Sequence, residues 1–368
     1  MRATCCKLTR YSFETGLIPS PGQRSVRIAC PNRGQYGPRV DAKRKGALLG
    51  LKQLLPGSLA GSLRPKWQSF RRLRINAYHK AAGLVGLNIA KRGDYYSVLP
   101  SLEKLQQTRA RWNRPSALPG VHYDLLQMRG LFDELLKNHA DDVSQVERYR
   151  ELAAKGFGPG YPRVDAIVLY AMIRRLKPAR YFEVGSGLST YFAWLAGQQN
   201  AKEGRPLQIT CVEPYPRDLL KSMAGVELII DEVQNVPLEK FAPLESGDVL
   251  FIDSTHALRI DSDVAYLFME VVPRVKAGVH VHVHDIPFPY NVPYPADVWM
   301  FGHRWPVFWQ EAMVLQSFLA FNESFRMNLS VSLIQHADES FLPLRVPGFE
   351  ASEIPADVTS SLWMERVK

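Results

Sequence analysis

Five short β-type runs separated by helical or loop segments occupy residues 180–284, and this alternation constrains the fold more than any other feature of the sequence. Strands that alternate with helices at this spacing indicate a parallel sheet covered by helices on both faces. Two later β-type runs, with no predicted helix between them, are typical of an antiparallel pair. We therefore predict an α/β, doubly wound, seven-stranded sheet that is mostly parallel and ends in an antiparallel C-terminal strand pair. The seven runs are Arg180–Val184, Gln208–Val212, Val226–Ile230, Asp248–Ile252, Val279–His284, Phe325–Ile334 and Ser360–Val367.

Helical periodicity flanks these runs and suggests three regions. Leucines and a methionine recur at helical spacing from Leu125 to about Asn138, and a second, polar helix is predicted near Val143–Ala154. Further helices are predicted over Arg163–Leu176, from about Leu188, and over Trp309–Phe321. We expect a basic, disordered tail over residues 1–45, a helical and irregular N-terminal cap over 46–154, and the α/β domain over 155–368.

The positive charge of the chain is concentrated at its start. The whole sequence has 46 Lys and Arg against 36 Asp and Glu. Sixteen of the basic residues but only two acids precede residue 76, so this segment carries +14 and the remainder −4. An organellar transit peptide, a contact with an anionic membrane or polymer, a solvated tail and a downstream start site all fit this pattern. Nucleic acid is not a predicted partner, because no aromatic interleaving or nucleic-acid motif accompanies the charge.

Two further features of composition bear on the compartment. No uninterrupted apolar stretch reaches the roughly 18–20 residues that a membrane-spanning helix needs. The four cysteines are too few and too dispersed for a disulfide framework, and no Cys-x-x-Cys pair suggests structural zinc. We expect a reducing, cytoplasmic location.

The strongest local signal is a glycine turn at the end of the first strand, Glu183-Val-Gly-Ser-Gly187. Such a turn lies at the carboxyl edge of an open sheet, where these folds bind ligands. The third position of a dinucleotide fingerprint would be Gly or Ala, but the sequence has Thr190. A carboxylate at Glu183 suits a ligand with a cationic amino group better than a pyrophosphate. Glu213, which ends the second strand, is placed to accept both hydroxyls of a ribose.

These motifs, with Asp253 after the fourth strand, resemble class I S-adenosylmethionine-dependent methyltransferases of the small-molecule type, which have a Rossmann-like fold. The resemblance covers roughly residues 155–368. It implies that Glu213 holds the ribose of S-adenosylmethionine and that the region of Asp231 lies near the adenine. It implies that the methionine part is held around the turn, where the candidate residues are Glu183, Gly185, Ser186, Gly187, Ser189 and Asp253.

Four ionisable residues follow the fourth and fifth strands and are predicted to converge beside the reactive end of the cofactor: Asp253, His256, His284 and Asp285. They resemble the catechol-type branch of small-molecule O-methyltransferases, in which acids at these places hold a divalent metal. Ile286 stands where that branch usually has Asn. Two roles therefore stay open: Asp253 and Asp285 bind Mg²⁺ or another divalent metal, or a histidine acts as general base. We slightly favour the base.

Three neighbouring features have alternatives of their own. His280, His282 and His284 share one strand face and could chelate zinc, although we expect His280 and His282 to be neutral core residues. The loop from Pro287 to Pro306, with the aromatic residues up to Trp309, is predicted to cover the pocket mouth rather than only to pack on itself. Arg259, Arg274 and Arg304 are candidates for an anionic substrate group or are solvated surface charges.

Taken together, the sequence predicts methyl transfer from S-adenosylmethionine to an oxygen or nitrogen of a small-molecule acceptor. The alternatives are a nicotinamide-dependent oxidoreductase that uses the same glycine turn and Glu213, and a non-catalytic scaffold that binds the cofactor. The sequence does not name the acceptor.

Overall fold

The computed structural model describes residues 72–87, 89, 96–139, 160–347, 349 and 358–368. The predicted tail 1–45, the polar helix near Val143–Ala154 and the domain boundaries at 45/46 and 154/155 lie outside these residues. The chain divides into two units, residues 1–89 and residues 90–368. In the first unit, residues 72–84 form a helix. None of the described helices is long and apolar enough to cross a membrane.

A seven-stranded sheet is formed by the described residues of the second unit, in the order β3-β2-β1-β4-β5-β7-β6. Strands β1 to β5 run parallel, and β7 runs antiparallel to both of its neighbours. The predicted fold class, α/β and Rossmann-like with a mostly parallel sheet and an antiparallel end, is confirmed. The strands are β1 Arg180–Val184, β2 Gln208–Val212, β3 Val226–Ile229, β4 Val249–Ile252, β5 His280–Val283, β6 Phe325–Ser330 and β7 Leu362–Arg366.

Nine α-helices of the second unit are described, and several follow the predicted bounds closely. The helix after the glycine turn begins at Leu188, as its position after β1 indicates, and the helix before β1 spans Arg163–Leu176. The helices are α1 Leu102–Gln107, α2 Arg109–Trp112, α3 Leu125–Asn138, α4 Arg163–Leu176, α5 Leu188–Lys202, α6 Asp218–Lys221, α7 Asp263–Tyr266, α8 Glu311–Leu319 and α9 Val331–Ala337.

The prediction of an uninterrupted strand from Phe325 to Ile334, with no helix before the last strand, is wrong. Strand β6 ends at Ser330, and residues 331–337 form α9. The Ser330 hydroxyl accepts a hydrogen bond from the backbone N–H of Leu333, so Ser330 is a helix N-cap. The apolar residues after Ser330 are therefore buried on a helix rather than on a strand.

The core lies on both faces of the sheet and under α4. All four residues of β4 are buried, which requires cover on both faces. Every residue of α4 from Val164 to Ile173 is buried, and α4 contacts both α3 and α5. A helix buried on all sides has little room for charge, which makes the buried Asp165 on α4 notable.

The parallel pairing brings the carboxyl ends of four strands to one edge of the sheet. Val184 of β1 is in register with Val212 of β2 and with Ile252 of β4, and Ile252 is in register with Val283 of β5. The strand order reverses between β1 and β4, where open α/β sheets form a crevice. The residues that directly follow these strands therefore share one site.

Candidate active site

The glycine turn allows the loop after β1 to pack closely against the loop after β4. Gly185 has a φ of +84°, and a Cβ atom there would lie 1.8 Å from the backbone oxygen of Asp253. Any side chain would therefore separate the loops after β1 and β4. The backbone N–H of Gly187 donates to Oγ1 of Thr190 at 3.1 Å, which caps the start of α5. Thr190, which differs from the dinucleotide fingerprint, thus serves the helix end.

Two of the predicted cofactor-binding side chains lie in the core rather than in the cleft. Glu183 is fully buried, and its carboxylate accepts hydrogen bonds from Oγ of Ser189 at 2.6 Å and from Sγ of Cys211 at 3.3 Å. Burial raises the pKa of Glu183 to about 7, against the lowering effect of these hydrogen bonds. The buried hydrogen bond between Ser189 and Glu183 therefore stabilises the glycine turn from the core side of the sheet.

A cleft of about 370 Å³ opens at the ends of β1, β2 and β4. Glu213 lines it, and its carboxylate accepts hydrogen bonds from the backbone N–H groups of Ser186 at 3.2 Å and Tyr215 at 2.8 Å. Two buried oxygens on the cleft wall, Oε1 of Gln234 and Oγ of Ser254, have no hydrogen-bond partner among the described residues. Unpartnered buried oxygens are costly, so this wall is suited to a polar ligand.

Asp231 is turned away from this cleft. Its carboxylate accepts from the backbone N–H of Glu232 and from Nδ2 of Asn235, both at 2.8 Å. The three residues that follow it, Glu232, Val233 and Gln234, line the cleft instead. Asp231 thus stabilises the turn that places Glu232, Val233 and Gln234 in the cleft wall. A motif comparison alone does not distinguish this role from direct contact with a ligand.

The ionisable residues after β4 and β5 meet as predicted, with His256 at the centre. Nε2 of His256 lies 3.4 Å from Oδ1 of Asp253 and 3.3 Å from Oδ2 of Asp285. Its other nitrogen, Nδ1, lies 2.6 Å from Oε2 of Glu311, the first residue of α8. His256 and Asp285 both have positive φ, +58° and +56°, so each loop turns sharply to bring its side chain into the cluster.

His284 belongs to the same cluster but lies deeper. Its Nδ1 is 3.4 Å from Oδ1 of Asp253, and its Nε2 is 3.2 Å from Oδ2 of Asp165. Asp165 lies on α4, 119 positions earlier in the chain. Asp165 also accepts from the backbone N–H of Ser360 at 2.9 Å, and the Ser360 hydroxyl donates to Asp285 at 3.0 Å. Both His284 and Asp165 are fully buried.

The pKa values follow from this crowding of carboxylates around two imidazoles. Burial lowers the pKa of His256, but its hydrogen bonds to Asp253 and Glu311 outweigh that effect and raise the pKa well above its ordinary value. Burial likewise lowers the pKa of His284, but the charges of Asp253 and Asp285 outweigh it and raise that pKa well above its ordinary value. Burial alone would raise the pKa of Asp253, yet the charge on His284 and the hydrogen bonds to His256 and His284 lower it overall. The cluster therefore favours cations.

One nitrogen and two oxygens of this cluster suit a divalent metal. The candidate ligand atoms of Asp253, His256 and Asp285 all lie within 4.8 Å of one another. A ligating histidine usually donates its second ring N–H to a carboxylate, and Glu311 is placed to accept it from His256. Oε1 of Glu311 has no partner among the described residues, so the burial of Glu311 is explained by its contact with His256.

The other two histidines of β5 are not part of the site. His282 stacks on Trp363 of β7 at 4.3 Å, and its Nε2 lies 3.1 Å from the Ser361 hydroxyl. Burial lowers the pKa of His282 well below its ordinary value and also lowers the pKa of His280. His282 is a buried core histidine, as expected, whereas His280 at the start of β5 is only half-buried, and the candidate metal ligands in the described chain include neither.

The aromatic loop contributes three side chains to the surroundings of Asp285. Tyr294, Trp299 and Trp309 line a narrow slot with Asp285 and Ser360. The Trp309 ring lies 4.7 Å from the ring of His256 and 4.8 Å from that of Trp299. Trp299 belongs to a π-helical turn, Asp297–Gly302, and the guanidinium of Arg109 is paired with Asp297 at the start of that turn.

The three arginines suggested for an anionic substrate are dispersed. Arg259 lines the cleft near Glu213, Arg274 is paired with Glu270, and Arg304 is exposed. No motif in the sequence singles out Glu311 or Asp165. Glu311 begins an apolar helix, and Asp165 lies in the first turn of α4, where an acid is favoured by the helix dipole in any protein. Only the packing shows that both are buried against histidines.

A comparison with protein families bears on the methyltransferase interpretation of this site. Residues 182–286, from β1 through β5 and the cluster that follows it, match a family model described as a methyltransferase domain. The resemblance drawn from the glycine turn, Glu213 and Asp253 is thereby confirmed.

One curated relative matches part of this chain. An uncharacterized protein of Archaeoglobus fulgidus is 33% identical over 91 residues, which is 24% of this chain and 40% of the relative. The chain thus matches less than half of the length of that relative.

Solved structures of methyltransferases are similar at a low level. An S-adenosylhomocysteine-bound methyltransferase of Podospora anserina is 15% identical over 74% of this chain and 99% of its own, with a TM-score of 0.34. The O-methyltransferase TomG of Streptomyces achromogenes, in complex with S-adenosylmethionine, is 14% identical over 67% and 92%, with a TM-score of 0.36. The MycE methyltransferase, in complex with Mg, S-adenosylhomocysteine and mycinamycin VI, is 15% identical over 59% and 54%, with a TM-score of 0.32. Values this low assign no activity to this chain.

Proposed function

We propose that this chain transfers a methyl group from S-adenosylmethionine to a hydroxyl oxygen of a small-molecule acceptor, at a site where Asp253, His256 and Asp285 hold a divalent cation. The observation that carries the proposal is the position of Asp253. Its backbone meets the glycine turn of the cleft, and its carboxylate meets His256 in the cluster. Asp253 therefore lies between the cleft proposed for S-adenosylmethionine and the cluster of ionisable residues.

The cleft fits the parts of S-adenosylmethionine. Glu213 at the end of β2 would accept the ribose hydroxyls, and Val233 and Gln234 would lie beside the adenine. The unpartnered oxygens of Gln234 and Ser254 are acceptors for the donors that such a ligand carries. The cofactor supplies an electrophilic methyl group on a sulfonium, and Ser254 and the backbone of Gly185 would lie along its amino-acid part.

We infer a metal rather than a general base alone, in place of the slight preference for the base in the sequence analysis. Three carboxylates, those of Asp253, Asp285 and Glu311, surround His256, and this concentration of negative charge suits a bound cation. A bound divalent cation lowers the pKa of a hydroxyl that coordinates it. Glu311 then orients the His256 ring, and Trp309 shields that ring from water on one side. His284 and Ser360 hold the two aspartates in place.

The chain has little further chemistry to perform. Methyl transfer from a sulfonium is an in-line displacement, so alignment of the nucleophile and loss of its proton account for most of the acceleration. Asp285 lines the aromatic slot and its carboxylate also lies 3.3 Å from His256, so an acceptor hydroxyl in the slot would lie beside the cluster.

A labelled-methyl assay tests the metal role. The full chain would be incubated with S-adenosylmethionine carrying a tritiated methyl group and a panel of small hydroxyl compounds, with Mg²⁺ and with EDTA. We expect transfer that EDTA abolishes and that Asp285→Asn lowers by about 100-fold or more. Asp218→Asn, on a fully exposed aspartate of α6, is the matched control and should leave the rate unchanged. Transfer that persists in EDTA and in Asp285→Asn would exclude the metal role.

A further inference from the structure

A larger cavity continues from the aromatic slot at Asp285 and gives it the dimensions of a small-molecule site. The slot shares Pro287, Tyr294 and Val358 with a cavity of about 270 Å³. The slot and this cavity together are called the acceptor cavity below. One end is Asp285, at the ionisable cluster, and Glu339, an exposed residue after α9, lies on the outer wall.

The carboxylates of the acceptor cavity outnumber its basic side chains. Among the described residues that line it, Asp285 and Glu339 carry carboxylates, His336 is the one histidine, and neither a lysine nor an arginine is present. Glu339 is exposed and forms no ion pair with another residue of the described part of the chain. An anionic acceptor would meet two carboxylates and no lysine or arginine among these residues, whereas a cationic one would meet a carboxylate at the outer wall.

The aromatic walls of the acceptor cavity also favour a cationic acceptor. The rings of Tyr290 and Tyr294 stack at 4.2 Å with an angle of 22°, and both line the cavity with Phe288 and Phe349. Aromatic faces attract ammonium groups, and more strongly where water is excluded. Prolines 287, 289 and 295 complete an apolar wall that suits the body of a flat or hydrocarbon acceptor.

We propose that the acceptor cavity selects a hydroxyl compound that carries an ammonium group at its other end, with Glu339 as the specificity-determining carboxylate. This inference rests on the proposed function, because it assumes that the hydroxyl end reaches Asp285. It reverses the suggestion that arginines bind an anionic substrate group, since Arg259, Arg274 and Arg304 all lie outside the lining of this cavity.

Three probes that share a phenol ring and differ only in the distal group test the charge preference. They are tyramine, 4-ethylphenol and 3-(4-hydroxyphenyl)propanoate, titrated calorimetrically into the full chain in the presence of S-adenosylhomocysteine. We expect tyramine to bind at least tenfold more tightly than the propanoate. Glu339→Gln should reduce this ratio by about threefold, as for an exposed ion pair, and Glu339→Lys should invert it. Glu239→Gln, an exposed glutamate outside the cavity, is the control.

Each remaining outcome overturns the proposal. Equal binding of the three probes, tighter binding of the propanoate, an unchanged ratio in Glu339→Lys, or no saturable binding of any probe would each contradict it. Failure of the proposed function is seen separately, in the titration of S-adenosylhomocysteine itself, and the three probes can still be compared on the protein without it.

Discussion

At the scale of single residues, the site depends on two carboxylates that approach the histidines from distant elements. Glu311 of α8 faces His256, and Asp165 of α4 faces His284. Neither would be expected to touch the acceptor. Each fixes the orientation of an imidazole whose other nitrogen points to Asp253, so the geometry at Asp253 is set by side chains on two separate helices.

The role of Glu311 gives a first prediction. Glu311→Gln keeps the shape of the side chain but removes the charge that accepts from His256. We expect the affinity for Mn²⁺, measured by electron paramagnetic resonance, to fall by about 10–100-fold, as for other carboxylates behind a ligating histidine. Glu323→Gln, on an exposed glutamate paired with Lys368, is the control. Equal Mn²⁺ affinity in wild type and Glu311→Gln would show that Glu311 does not support a metal ligand.

Glu183 gives a second prediction, on stability against pH. Burial raises its pKa from 4.5 to about 7, so between these values the folded protein keeps a proton that the unfolded chain has lost. Stability from this group is complete below about pH 4.5 and is lost as the pH rises through about 7. The loss amounts to about 3 kcal/mol. We expect Glu183→Gln to remove this component, so that its free energy of unfolding relative to wild type rises by that amount from pH 4.5 to 7.5.

Urea unfolding across this pH range measures the effect. The exposed Glu339→Gln variant should give a pH profile parallel to that of wild type and serves as the control. A parallel profile for Glu183→Gln as well would mean that Glu183 is ionised in the folded protein across the range.

At the scale of elements, the buried strands of the sheet can be predicted from the sequence. The end of a strand cannot be predicted where a helix-capping side chain sets it. Strands β1 and β2 agree with their predicted bounds, because short apolar runs between helices have few other solutions. The end of β6 is different. Residues after Ser330 are apolar enough for a strand, and only the Ser330 side chain, bonded to the N–H of Leu333, turns them into α9.

The pairing of β5 with β7 gives a third prediction. Trp363 is almost fully buried and stacks on His282 across the two strands. We expect Trp363→Ala to lower the free energy of unfolding by about 3–5 kcal/mol, because it leaves a large cavity in the core. Trp305→Ala removes a tryptophan that is 63% exposed and should change it by less than about 0.5 kcal/mol. Similar losses in both variants, measured by urea unfolding, would contradict this packing.

At the scale of the whole molecule, the sheet edge explains which parts of the site were predictable. Asp253, His256, His284 and Asp285 lie in the loops just after β4 and β5, so parallel pairing brings these loops together, and turns with positive φ at His256 and Asp285 complete the cluster. Glu183 and Asp231 have the right positions in the motif, yet their side chains turn into the core and into a local turn. Side-chain direction at a strand end depends on neighbours that no spacing rule includes, and Glu311 and Asp165 reach the site only through tertiary packing.

The central claim is that the cleft between β1, β2 and β4 binds S-adenosylmethionine. Calorimetric titration of the full chain with S-adenosylmethionine, S-adenosylhomocysteine and NADH, with Glu213→Ala as the matched variant, tests it most directly. The account predicts binding of the two sulfur nucleotides and loss of about tenfold or more in affinity in Glu213→Ala, because Glu213 would no longer accept the ribose hydroxyls. Binding of NADH alone, or of none of the three to folded protein, would contradict it.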